Sequence, residues 1–134
     1  MTRRASGVFD VQLAPQGSED KSEGSALGRL TIAKQFHGDL EATSQGEMLT
    51  AGTAVAGSAG YVAMEKVAGT LHGRRGTFAL QHSGTMARGA PQLTITVVPD
   101  SGTGELAGLT GKLSITIADG KHSYEFEYDL PEAP

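Results

Sequence analysis

Three polar residues stand in apolar company and need an explanation. His82 shares an alternating phase with Phe78 and Leu80, opposite Thr77, Ala79 and Gln81. Lys34 shares a phase with Leu30, Ile32 and Phe36, opposite Arg29, Thr31, Ala33 and Gln35. A charged amine among aliphatic side chains is costly unless it is paired. Either Lys34 meets a carboxylate inside, or it stands at a mouth with its head in water. Glu65, in Tyr61-Val62-Ala63-Met64-Glu65, is the candidate partner. The phase of that run is ambiguous, because Val62 and Met64 form an alternative inward set that would turn Glu65 outward. His82 reads as a core histidine bonded to a backbone carbonyl, or as a polar anchor or acid–base group in a cavity. Tyr124 and Tyr128 read as core or rim aromatics, or as cavity residues whose hydroxyls orient a ligand.

Other spacings resemble catalytic motifs and fail on inspection. Asp100-Ser101-Gly102-Thr103 has the form of an aspartic protease signature, in which two carboxylates share a proton. In such proteases the aspartate comes early and a flap hairpin follows. Here a proline precedes Asp100 and only 34 residues follow it, so the run reads as a turn. Ala56-Gly57-Ser58-Ala59-Gly60 lacks the first glycine of a nucleophile elbow, and no helix pattern follows. Gly104 to Lys112 fails as a phosphate loop, because Leu106 and Leu113 stand where Gly and Ser or Thr are needed. His37, His72, His82 and His122 form no local metal-binding pair, so no metal site is expected.

Composition narrows the field further. Cys, Trp and Asn are absent, which excludes disulfides, thiolate metal sites, a cysteine nucleophile and N-glycosylation. Eleven basic residues stand against fifteen acidic ones, and the densest basic spots are the pairs Arg3-Arg4 and Arg74-Arg75. No basic stripe for nucleic acid emerges from that distribution. The two early arginines have no apolar run behind them, unlike a secretory signal. No stretch approaches the ~18 apolar residues of a membrane span. The expectation is a cytoplasmic protein without cofactors. A chain of 134 residues predicts one domain over 1–134. Residues 1–7 and 131–134 are expected to be flexible termini, and 15–26 a surface loop.

The elements that must position these residues are strands. Phe9, Val11 and Leu13 share a phase, as do Leu93, Ile95 and Val97, and Leu113, Ile115 and Ile117. His122, Tyr124, Phe126 and Tyr128 alternate with Ser123, Glu125 and Glu127. A period of two places alternate side chains on opposite faces of a sheet. About eight such segments are separated at Gly24, Gly38-Asp39, Gly46-Glu47, Gly57 to Gly60, Gly73 to Gly76, Arg88 to Pro91, Asp100 to Gly104 and Asp119-Gly120. Gly60 to Leu71 is the nearest helical candidate, and its glycines argue against a long helix. An all-β chain of this length closes into a barrel or stacks two sheets. Short connections and 19 glycines favour a closed antiparallel barrel.

Several runs resemble a bacterial family known as domain of unknown function 3224. They include Lys34-Gln35-Phe36-His37-Gly38-Asp39-Leu40, Gly46-Glu47-Met48-Leu49 and Gly57 through Glu65. Gly76 through Met86, Val97 through Leu109 and His122-Ser123-Tyr124-Glu125-Phe126 extend the match, which covers about residues 8 to 130. That family is similar in fold to allene oxide cyclase and dirigent barrels. The resemblance implies a closed barrel around a mostly apolar cavity, often in a homo-oligomer, and carries over no catalytic set.

Three functions follow as expectations. The first is binding of a small hydrophobic molecule in the barrel interior. Leu30, Ile32, Phe78, Leu80, Tyr124 and Phe126 would line the cavity, Tyr61 would join the ligand-binding set, and His82, Lys34 or Glu65 would hold a polar end. The second is a cyclase or isomerase that confines a reactive substrate, with Glu65 and His82 as acid, base or charge stabiliser. The third is an oligomerising module with a filled interior and an outward Val62 and Met64.

Overall fold

The structure is a computed structural model, and it describes residues 2–17 and 22–131. Eight strands follow one another: β1 Arg3–Gln16, β2 Ala26–Gly38, β3 Leu40–Gly52, β4 Ala59–Leu71, β5 Arg74–Ala87, β6 Ala90–Val97, β7 Thr110–Ala118 and β8 Lys121–Asp129. Each is antiparallel to its sequence neighbour, and β8 returns to β1, closing the barrel. A single 3-10 turn, Gly104–Leu106, interrupts the all-β pattern among the described residues. No described helix is long and apolar enough to cross a membrane.

Turn chemistry sets the register. His72-Gly73, Arg88-Gly89 and Asp119-Gly120 each hold two consecutive residues at positive φ. That is the backbone of the two-residue turn whose twist matches antiparallel strands. The flanking pairs Leu71↔Arg74, Ala87↔Ala90 and Ala118↔Lys121 are fixed by these turns. Period-two alternation then carries the inward phase along each strand.

One end of the barrel is filled. Phe36, Leu40, Val67, Leu71, Phe78, Leu80 and Phe126 are fully buried, and Leu106 and Leu109 from the β6–β7 connection join them. Phe78 stacks on Phe126 with ring centroids 5.8 Å apart. At this end the Tyr124 hydroxyl accepts from the Leu40 N–H at 3.0 Å and lies 2.9 Å from the His37 carbonyl oxygen. It thereby ties β8 to the β2–β3 corner.

The other end is open. Leu13, Met86, Leu93 and Ile117 hold the inward phase of their strands yet remain exposed. The seam between β6 and β7 is thin, with Thr96↔Lys112 as the one pair in register. Continuing that register would set Leu93 opposite Ile115 and Pro91 opposite Ile117, but no pairing extends there. The two strands therefore part towards the open end.

Several expectations about boundaries are corrected. Arg3 to Gly7, expected in a flexible terminus, are paired with β8, and Ala5 is fully buried. Pro15 and Gln16, placed in a surface loop, end β1 opposite Leu30 and Arg29. Ala26, also assigned to that loop, opens β2. Residues 18–21 of the loop and 132–134 of the terminus lie outside the described residues. Gly46-Glu47 is not a break, since β3 runs through it. Gly46 is a close-approach position: a Cβ there would lie 2.1 Å from the Met64 carbonyl oxygen and 2.7 Å from Glu65 Cα. Gly60 to Leu71, the helical candidate, is strand β4.

Candidate functional site

The ambiguous phase of β4 resolves in favour of an inward Glu65. Its neighbours Ala63 and Val67 are buried, while Val62 and Met64 are about half exposed on the outer surface. The pairing explains how a carboxylate fits inside. Glu65 stands opposite Gly46 on β3, and His82 stands opposite Ala63 on β4, so small residues leave room for both.

Glu65 is the hub of a buried polar cluster. Lys34 Nζ donates to Oε1 at 2.9 Å, and His82 Nε2 reaches the same oxygen at 2.6 Å. Ser44 Oγ donates to Oε2 at 2.6 Å. Side-chain exposure is 7% for Lys34, 0% for Glu65 and 4% for His82, so the group is shielded from water. The Lys34 ammonium also lies 5.1 Å from the Phe9 ring centroid and 5.8 Å from that of Phe36, where ring faces attract a cation.

Two opposing effects act on the Glu65 carboxyl. Burial pushes its pKa up, since a charge is expensive away from water. The His82 hydrogen bond, the Lys34 charge and the Ser44 hydroxyl act the other way and win, holding it at about 2. Glu65 is therefore ionised near neutral pH. A carboxylate only accepts, so the proton between it and His82 belongs to Nε2. In the neutral imidazole, Nδ1 is then an acceptor.

Above this cluster lies a cleft of about 740 Å³ at the open end of the barrel. Met48, Tyr61, Met86 and Leu93 contribute inward-phase apolar surface, Ile117 closes the far side across the parted seam, and the β3–β4 connection forms the rim. The Tyr61 ring packs against Gly84, where a Cβ would come within 2.4 Å of it. Its centroid is 6.3 Å from that of His82, so Tyr61 links the cleft to the cluster. Burial, and secondarily the Glu65 charge, raise the Tyr61 hydroxyl pKa and keep it protonated.

Of the predicted site residues, Lys34, Glu65, His82 and Tyr61 are brought together. Phe78 and Tyr124 are not. Phe78, Leu80 and Phe126, expected to line a cavity, belong to the filled core, and Tyr124 is held at the closed end by its backbone bonds. The interior there is occupied by aromatic rings, which leaves the free volume at the mouth. Ser44 was not anticipated, although the inward phase of Leu40 and Ala42 leads directly to it. Met48 and Met86 were missed as lining residues for lack of any cue to which end stays open. A second groove of about 590 Å³ runs over the outer face and includes Arg29, Glu47, Leu49, Val62 and Met64. Ala63 and His82 also line it, whereas His82 does not line the cleft at the mouth.

The chain is similar in structure to a crystallised protein of unknown function from Shewanella oneidensis MR-1, itself assigned to the DUF3224 family. The two share 49% sequence identity and a TM-score of 0.92, over 98% of this chain and 100% of that one. No curated protein matches. The model of the family described as Protein of unknown function (DUF3224) matches residues 5–128. The chain belongs to the DUF3224 family.

Proposed function

We propose that this protein binds a small, largely apolar molecule at the open end of its barrel. The observation that carries the reading is an apolar cleft whose Tyr61 ring reaches towards His82 of the buried polar cluster. Ligand sites combine apolar walls with a few oriented polar groups in this way, and 740 Å³ lies within their usual range of about 300–1,000 Å³. The filled half of the barrel supplies the rigid support that such a site needs.

The experiment is a titration of the full chain with the neutral fluorophore N-phenyl-1-naphthylamine. Saturable enhancement is expected, and it is lost in Met86→Arg and Leu93→Arg. The outer-face variant Val62→Arg keeps it. Equal enhancement in all four proteins would place the bound fluorophore elsewhere and end the reading.

The His82 tautomer favours a second reading, an isomerase or cyclase that confines its substrate. A carboxylate that orients an imidazole through one nitrogen prepares the other as a general base. Conversion of a compound from an apolar bacterial extract, lost in His82→Ala while fluorophore binding persists, supports it. Identical conversion by both proteins refutes it.

A further inference from the structure

Two strand edges lie open beside the cleft. A two-residue turn makes its flanking residues a mutually bonded pair, here Ala87↔Ala90 and Ala118↔Lys121, and the direction of bonding alternates along each strand from there. Even-numbered residues of β6 therefore turn their backbone groups to β5. The Val98 N–H, just past the strand, keeps that sense and donates to the Ala79 carbonyl oxygen at 2.9 Å. Even-numbered residues of β7 turn theirs to β8, and the odd-numbered residues of both strands face the seam. Towards the open end from Thr96↔Lys112, no pairing crosses that seam among the described residues. The N–H and C=O groups of Leu93 on β6, and of Ile115 and Ile117 on β7, thus have no strand to meet.

The two edges are not equal. Pro91 has no N–H, and its nitrogen faces the seam, so the proline leaves the β5–β6 ladder intact and blunts this edge. On β7, Ile115 and Ile117 together offer two N–H donors and two carbonyl acceptors. Charged side chains commonly guard such an edge, and none stands at 113–118. The Ile117 side chain is 66% exposed and lines the cleft with Leu93, while Ser114 and Thr116 face outward.

We infer that the β7 edge is a docking site for an extended peptide segment of a partner protein, which adds to it as a further strand in the antiparallel sense that β7 already has with β8. The backbone groups select this partner, because a row of alternating amide donors and acceptors is matched along its length by another extended backbone. Antiparallel pairing puts directly opposed side chains on one face. Residues opposite Ile115 and Ile117 therefore send apolar side chains towards the cleft, and the residue between them lies outside beside Thr116. The segment alternates apolar and uncharged polar residues. This inference stands apart from small-molecule binding, since it rests on the backbone of the barrel wall.

The test adds a capped hexapeptide of alternating Val and Thr, carrying fluorescein on a glycol spacer, to the full chain. A saturable rise in anisotropy is expected. With the valine side chains towards the cleft, the valine N–H groups face β7, so N-methylation of the valines abolishes binding and N-methylation of the threonines spares it. Ile117→Pro removes one edge donor on the side away from β8. It is expected to weaken the peptide about fivefold to tenfold, the value of one hydrogen bond, and to keep the urea midpoint. Amide hydrogen exchange reads the edge without any variant: Ile115 and Ile117 exchange faster than Ser114 and Thr116 in the free chain, and slow when the peptide binds. No binding of the peptide, equal effects of the two methylated sets, or Ile115 and Ile117 amides already protected in the dilute free chain overturn the inference. Protection that rises with protein concentration alone assigns the edge to a second copy and overturns the peptide partner. Failure of the naphthylamine fluorophore to bind ends the small-molecule reading and leaves this one standing.

Discussion

His82 Nε2 stands 2.6 Å from Glu65 Oε1, inside the barrel and between two adjacent strands. Their bond fixes which nitrogen carries the imidazole proton, and it is one of three that keep the buried carboxylate charged. It makes the stability of the fold a function of pH. The Glu65 pKa falls from an ordinary 4.5 to about 2 on folding. A carboxyl depressed in this way contributes stability above its unfolded pKa and loses it as pH falls through the folded one. The contribution is about 3 kcal/mol, fully present above pH ~4.5 and lost towards pH ~2. Urea unfolding of wild type and Glu65→Gln between pH 7 and 2.5 reads it directly. The gap between the two proteins should narrow as pH falls, and a constant gap would mean that Glu65 is not ionised.

Gly46 and Gly84 separate stability from site geometry. A Cβ at Gly46 meets backbone, the Met64 carbonyl oxygen at 2.1 Å, and the strand cannot yield cheaply. Gly46→Ala should cost about 2–3 kcal/mol, read as a lower urea midpoint. A Cβ at Gly84 meets the Tyr61 ring at 2.4 Å, and a ring can swing into the open cleft. Gly84→Ala should keep the midpoint within about 1 kcal/mol of wild type. Its fluorophore affinity should nevertheless fall.

Tyr124→Phe removes one oxygen from the closed end and leaves the Leu40 N–H without its partner. An unsatisfied buried donor costs about 1–3 kcal/mol. Thermal unfolding should show the loss, with fluorophore binding unchanged because Tyr124 lies outside the cleft. A variant that unfolds like wild type but binds poorly would return Tyr124 to the ligand site.

Phe78→Leu probes the filled core. Phe78 is buried and stacked on Phe126, so the smaller side chain leaves a void. A loss of about 1–3 kcal/mol is expected, again with unchanged affinity at the mouth. Calorimetry and the fluorophore titration on the same preparation decide it.

Much of this molecule was legible in its residues. Alternation identified most of the strands, and the breaks read at Gly73 to Gly76, Arg88 to Pro91 and Asp119-Gly120 fall at or beside the two-residue turns, where positive φ is needed. Local physics also singled out Lys34 and His82, since a polar side chain in an apolar phase needs a partner wherever the chain goes. The identity of the partner was a matter of register. Alternation within β4 permits Glu65 on either face, and only pairing with β3 and β5 turns it inward beside Gly46 and Ala63. Which end of the barrel is filled was likewise decided in three dimensions. Phe78 and Phe126, distant in sequence, stack on each other, and the β6–β7 connection adds Leu106 and Leu109 at the same end. Periodicity assigns a side chain to the inside of a barrel but says nothing about its height along the axis. Height depends on strand stagger, a property of all eight strands together.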